Sequence, residues 1–528
     1  MPSPCFRLAS PLVLAAFCSP LAAQTPSPAG PPPQDQNAQP GAGYHLNVTT
    51  RIVILDVVVT DKHGNLVNKN DLTKDDFTIF ENKVPQTIRS FEAPAQHAMP
   101  VSDKAIVNSA ADLPKIGDAP VTMLVLDELN SKFEDMSFSR QMMVKYLKSQ
   151  PPVLKQPTVL LIAQNTKFVQ VHDYTQNRDE LIDIVNKHMP EYPWRMMNGG
   201  RSGAVAVERM AQGLAALQQL AQASAGTPGR KNVIWVGNGF PSADLVGLDQ
   251  QQADLITAAV RAVTQKLLAS RITMYTINPI AGSSTTIDIE TPDDLNQADP
   301  DAGPTPFGEG TVNFTDFAPA TGGMSFQGRN DINNVIEEGI AHGDNYYTMS
   351  YAPTDKTDDP TKFRNINIVM KDPNLRATTR NGYFPETAAD INPLADKTIT
   401  DKQKQRDLAL DLSQALTTTI SYNGLGVTAT KEKDGSYTIH VAENNLSWSP
   451  PGPDGAEHAE ATVASAWYDK SGKLLGHVAR EETFPRGATG TGATFTLPAQ
   501  SIPGYSTRIR FVVRDAMSGR MGTVDINK

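Results

Sequence analysis

Four runs constrain this chain more than anything else in it: VTMLVLD at 121–127, TVLLIAQ at 158–164, KNVIWVGNG at 231–239 and RITMYTIN at 271–278. Each is almost continuously apolar, so neither face of the strand it forms can be left to water. Strands buried on both faces belong to parallel sheets. Between the runs lie stretches with helical spacing: 136–147, 179–188, 204–223, 249–270 and 332–342. In the third, Met210, Leu214, Leu217 and Ala221 fall on one face. Strands alternating with helices predict βαβ crossovers and an α/β class: a doubly wound, mostly parallel sheet covered on both sides. FVQVHDY reads as a shorter strand beside the second run, and NYYTMSYAP as the last strand of the unit.

The flanks have a different pattern. In VTTRIVILDVVVTDKHGNLV, the residues Val53, Leu55, Val57 and Val59 alternate with their neighbours, and Asp61-Lys62-His63-Gly64 is a turn. With DFTIFENKVPQTIRSFE this makes residues 46–92 a small antiparallel β unit. The α/β unit spans 119–352 and contains a Pro-, Gly-, Asp- and Thr-rich insertion at 280–322, too long for an ordinary connection. Residues 353–386 are expected to form a β hairpin that closes the first β unit. Residues 401–528 predict a helix over 401–417 followed by an immunoglobulin-like all-β sandwich, with TIHVAE, ATVASAWYD and RIRFVVRD among its strands.

The N-terminus carries the signs of export. Arg7 precedes an apolar stretch from Leu8 to Phe17, and Leu21-Ala22-Ala23 ends in small residues. Residues 1–23 read as a signal peptide cleaved after Ala23, and 24–45 as a Pro/Gly-rich linker. A lipoprotein anchor at Cys18 is disfavoured by the bulky Phe17 before it. Cys5 and Cys18 are the only cysteines, so the mature chain is expected to be cysteine-free, as suits a bacterial periplasmic, secreted or cell-surface protein. No later stretch stays apolar for the roughly 18 residues a membrane span needs. Across 528 residues the net charge is -10 and the pI about 5.5, which argues against a nucleic-acid partner.

Several segments together resemble the von Willebrand factor A-related family of secreted bacterial proteins, first named from acidobacteria. They are VILDVVVTDKHGNLV with DFTIFEN, then LVLDELNS at 124–131, VHDYTQN, GRKNVIWVGNGFP at 229–241, and YYTMSYAPTD with KFRNINI and RNGYF. The resemblance runs from about Val48 to Phe384, and RFVVRDAMSGRMG is similar to the tail of longer members. It implies a von Willebrand A-type sheet with ligands at the carboxyl ends of its strands. Domains of this type often hold Mg²⁺ or Mn²⁺ there, through Asp-x-Ser-x-Ser, a Thr from a second loop and an Asp after the fourth strand. Carried onto this chain, the pattern gives Asp127, Ser131, Thr175 and Asn238. Leu129 stands where the first Ser would be, and Asn238 stands where the second Asp would be. The set is a degenerate divalent-metal site, because hard cations want charged oxygen ligands and one carboxylate is gone. Glu128 and Asn130 are the only nearby substitutes, and strand alternation points them elsewhere. The competing reading is that Asp127 accepts loop N–H groups or caps the next helix.

Other motifs point to ordinary structure. Asp61 and Asp469 open hairpin turns, with no closing Glu of a calcium loop. The acidic stretch from Asp288 to Asp301 reads as a solvated charge run. No His-Glu-x-x-His, Gly-x-Ser-x-Gly or phosphate loop is present in the sequence. Trp194, Trp235 and Trp467 read as core or interface, and Trp448 as the one most exposed. Three classes of function remain. The architecture favours an exported, non-enzymatic binding or adhesion protein that recognises a protein or surface ligand. The others are a structural or assembly component of the cell envelope and a hydrolase with an unrecognised site.

Overall fold

The computed structural model describes residues 52–67, 71–100, 106–164, 168–190, 203–240, 243–244, 249–279, 311–357, 359–360, 362–386, 392, 394, 399–452, 455–486, 492–498 and 502–528. The signal-peptide and linker readings, Trp194 and the acidic stretch at 288–301 lie outside these residues.

The apolar runs form one six-stranded sheet. Its strands are β1 (Val121–Asp127), β2 (Val153–Ala163), β3 (Phe168–Asn177), β4 (Lys231–Val236), β5 (Ile272–Asn278) and β6 (Ser325–Gln327). Their order across the sheet is β6-β5-β4-β1-β2-β3, parallel throughout except for the β2–β3 pair. Both faces are covered, as runs without polar alternation require. Met123 and Val125 of β1 pack on the side of α3 (Gly203–Ser224) and α4 (Gln250–Ala269). Leu124 and Leu126 pack against α1 (Phe133–Ser149), α2 (Arg178–Lys187) and α5 (Ile332–Asp344). Every residue of β1 is buried.

The strand Tyr347–Tyr351, expected to end the parallel sheet, does not join it. It lies antiparallel between Val53–Asp61 and Ile88–Glu92. The alternating strands need a partner on each edge, and a strand entering just after α5 supplies one. The result is two four-stranded antiparallel sheets. One has the order Leu375–Thr378, Val53–Asp61, Tyr347–Tyr351, Ile88–Glu92; the other has Gly382–Tyr383, Arg364–Met370, Phe77–Glu81, Val84–Gln86. Leu55, Val57, Ile79, Met349 and Ile368 fill the core between them. Within that core, Glu81 accepts hydrogen bonds from Tyr351 Oη (2.7 Å), Tyr383 Oη (2.9 Å) and Arg364 Nη1 (2.8 Å). Arg364 also donates to the Asp355 and Thr357 carbonyls. These four side chains come from FTIFEN, TMSYAP, KFRNINI and NGYF, the first of them far in sequence from the other three.

Beyond α6 (Asp401–Thr417), a three-stranded sheet (Val427–Lys431, Tyr437–Val441, Ala493–Leu497) faces a four-stranded one (Leu474–Pro485, His458–Tyr468, Arg508–Asp515, Met521–Asn527). Ile439, Val463, Trp467, Phe495 and Phe511 pack between them. The outer face of the larger sheet is also covered. Ala464, Ala466 and Val512 share a core with Leu412 and Leu416 of α6 and with Leu217 of α3. Fully buried Arg510 ties this junction, donating to the Ala415 and Ile420 carbonyls and to Asp525 (2.6 Å).

The Glu81 network has a measurable weight. Replacing Arg364 with Met leaves a carboxylate in an apolar core with only phenol donors. The expected cost is about 3–5 kcal/mol, read as a lower urea midpoint. An unchanged midpoint would show that the network is incidental to the fold.

Candidate functional site

Strand order reverses between β1 and β4, the switch point at which an open α/β sheet leaves a crevice above its carboxyl ends. Two loops meet there, residues 127–131 after β1 and residues 237–240 after β4. Asp127 lies between them with no exposed surface. Its Oδ1 accepts from the backbone N–H of Leu129 (2.9 Å) and of Asn130 (3.0 Å). Its Oδ2 accepts from the backbone N–H of Gly239 (2.7 Å) and from the Trp235 indole Nε1 (3.3 Å). One carboxylate therefore ties its own loop to the β4 loop through four donors. Ser131 Oγ accepts from the Asn238 N–H at 3.3 Å, and Asn238 Nδ2 donates to the Asn130 carbonyl at 3.3 Å.

Close approach of the loops requires Gly237. Its φ is +149°, and a Cβ there would stand 2.2 Å from Asp127 Cβ and 2.8 Å from Ser131 Oγ. Gly239, at φ +63°, lies so close to Phe314 that a Cβ would meet the ring at 2.0 Å. Phe314 and Phe168 pack on Trp235, with Phe240 against Phe314, which places the indole donor.

Of the four residues assigned from sequence, Asp127, Ser131 and Asn238 come together, and Thr175 does not. Thr175 is in β3, paired with Thr158, which is level with Thr122. Thr122 precedes Asp127 by five residues, about 16 Å along a strand. β3 runs antiparallel, so its end reaches the opposite edge of the sheet. There Thr175 Oγ1 donates to Glu180 (2.9 Å) and accepts from the Asn177 N–H (3.0 Å), at the start of α2. Leu129 is buried in the core beneath the crevice, where it packs as an apolar residue.

The remaining groups do not fit Mg²⁺ or Mn²⁺. Both carboxylate oxygens of Asp127 face N–H donors, which repel a cation as they attract the anion. Among the described residues the partners available are a serine hydroxyl and an asparagine amide, with no second carboxylate bonded to either loop. Glu128 points to the other face of the sheet, where its Oε1 meets His188 Nε2 at 2.7 Å. Among the described residues no group of three His, Cys, Asp or Glu side chains is placed to hold a metal. Sequence reasoning missed Trp235 and the N–H of Gly239 as partners of Asp127. The signal was present in the Gly-Asn-Gly that ends the β4 run, which permits tight approach of the β1 loop.

The other residues singled out from sequence serve local structure. Asp61 accepts from the His63 and Asn65 N–H groups, and Asp469 from those of Ser471 and Lys473, as turn residues do. Trp235 and Trp467 are buried. Trp448 is half-buried, with Arg486 over its ring at 5.4 Å.

No protein-family model matches the chain, and no curated protein does. Solved structures with some likeness include proximal thread matrix protein 1 of the mussel byssus, 14% identical, with 31% of this chain and 38% of that one covered and a TM-score of 0.20. The N-terminal domain of TFIIH p34 is 12% identical over 30% of this chain and 80% of that one, TM-score 0.16. Human COPII-coat protein Sec24c is 9% identical over 57% and 50%, TM-score 0.23. This chain therefore spans well under half the length of the mussel protein.

Burial pushes the Asp127 carboxyl up to about 6, against the pull of its N–H donors. Below its ordinary value of 3.8 the group is protonated folded or unfolded. Between 3.8 and about 6 only the unfolded chain ionises, so stability falls as pH rises through that window. Wild type should lose stability relative to Asp127→Asn across it and run parallel above it. Urea midpoints measured through the window check the sign. At neutral pH, Asp127→Ala strands four buried donors and should cost about 3 kcal/mol. A neutral Asp127→Ala would show that the loops hold without the carboxylate.

Proposed function

We propose that this chain is an exported, non-enzymatic binding protein built on a von Willebrand A-type domain, recognising a protein or surface ligand at the crest of its parallel sheet without a metal ion. The observation that carries the reading is the four-donor anchor at Asp127. It fixes two loops at the switch point, where sheets of this order bind ligands. Strand order β6-β5-β4-β1-β2-β3 with an antiparallel β3 supports the A-type assignment, and so do the segments of family resemblance. Export rests on the N-terminal pattern of Arg7, Leu8 to Phe17 and Ala23.

A second reading, an assembly component of the envelope, has one observation in its favour. Strand Leu474–Pro485 is twelve residues long, mostly exposed, and among the described residues hydrogen-bonded along one edge only, to His458–Tyr468. A free edge of that length can accept a strand from another chain.

Capture of ligands from bacterial envelope extract separates the two. The crest reading expects a discrete ligand retained equally in EDTA and in Mg²⁺, and lost in Asn238→Arg. Capture that survives Asn238→Arg but disappears when Val478 is changed to Pro would favour the edge strand. Melting temperatures in EDTA and in millimolar Mg²⁺ or Mn²⁺ should coincide, because a metal bound only by the folded state must raise them. A rise of several degrees, absent in Asp127→Ala, would refute metal independence.

A further inference from the structure

At the opposite end of the sheet, where the N-terminal β sandwich meets the starts of β4 and β5, three cationic side chains gather. Arg230 and Lys231 are each about 1% exposed. Arg271 stands just before β5, and its Nη2 reaches Asp56 Oδ1 at 2.8 Å. Asp56, whose side chain is 13% exposed, answers Arg271 directly. Burial raises its pKa, yet the charges of Arg271 and Arg230 outweigh that and hold it below its ordinary value. Glu92 is 45% exposed and Asp118 is exposed, so both lie at the rim.

Lys231 has a way out of this crowd. Its Nζ donates to the Thr227 and Gly229 carbonyls, two bonds that a neutral amine can also make. Burial, with Arg271 nearby, pulls it down to about 7. Arg230 has none, because a guanidinium keeps its charge in proteins. Its direct partners are all neutral. Nε donates to Asn232 Oδ1 (3.1 Å), Nη2 donates to Tyr275 Oη (3.0 Å), and the group lies 5.0 Å from the Tyr346 ring centroid. Among the described residues its Nη1, buried, has no hydrogen-bond partner, and neither do Asn232 Nδ2 and Arg271 Nε. On the other side, Tyr346 stacks on His97 at 4.6 Å, and His97 Nε2 lies 3.6 Å from Glu92 Oε2. A buried charge left unpaired is among the costliest features a fold can carry.

We propose that a small monovalent anion of chloride size completes this seam, held by the free Nη1 of Arg230. The surrounding groups are buried, which favours a compact ion over a polyatomic one. The anion is a structural ligand that joins the N-terminal sandwich to the parallel sheet.

The test is thermal unfolding of the full chain while chloride replaces gluconate at fixed ionic strength, so that screening stays constant. The expected result is a saturable rise in Tm of roughly 2–4 °C. Arg230→Met should abolish the response. Because that variant could fail to fold, Asn232→Asp provides the second arm. It places a carboxylate where Arg230 Nε already donates, and should raise Tm in gluconate while removing the chloride response. Equal Tm in the two salts would overturn the proposal and leave ordered water as the partner of Nη1. A chloride response that survives Asn232→Asp would overturn it as well.

Discussion

Burial of β1 on both faces is the constraint on which most of this structure depends. The strand is flanked by strands and covered by helices on each side, and Asp127 at its end has no exposed surface. The carboxylate that terminates it must find its partners inside the protein. Asp127 does so by taking two N–H groups from its own loop and two donors from the β4 side. The geometry of the crest is thus a consequence of satisfying one buried charge. Gly237 is needed because the two loops must approach within the space a side chain would occupy.

The same constraint acts at the other end with the opposite sign. There the sheet begins with Arg230 and Lys231, and the N-terminal sandwich closes over them. Asp56, on a strand more than a hundred residues upstream, reaches Arg271 and Thr348 and so links sandwich to sheet. The sandwich is itself pinned by a buried charge, Glu81, with an arginine and two tyrosines around it. Buried polar groups with specific partners fix the register of elements that apolar packing alone would leave free to slide.

Much of this was legible in the sequence, for identifiable reasons. Apolar runs without alternation signal buried parallel strands, and period-3.6 stretches signal the helices over them. The site was half legible. Asp127, Ser131 and Asn238 could be placed because each comes directly after a strand whose direction the βαβ rule sets. Thr175 could not, because its position depends on β3 running antiparallel, and a single strand's residues do not declare its direction. Tyr347–Tyr351 is illegible for a related reason. Its five buried residues look the same whether the partner is a parallel sheet or a sandwich.

By itself, the sequence determined which segments must be buried, their periodicity, and that Leu129 and Asn238 bring neither a hydroxyl nor a carboxylate to the ends of two of those runs. Those are properties of residue type and spacing. Only the tertiary structure decided what Asp127 does with its charge. The Trp235 indole and the Gly239 amide come from more than a hundred residues away, and their donation to Asp127 depends on β4 lying beside β1. The partner of a buried charge is set by which strands are neighbours, and that is a property of the folded chain.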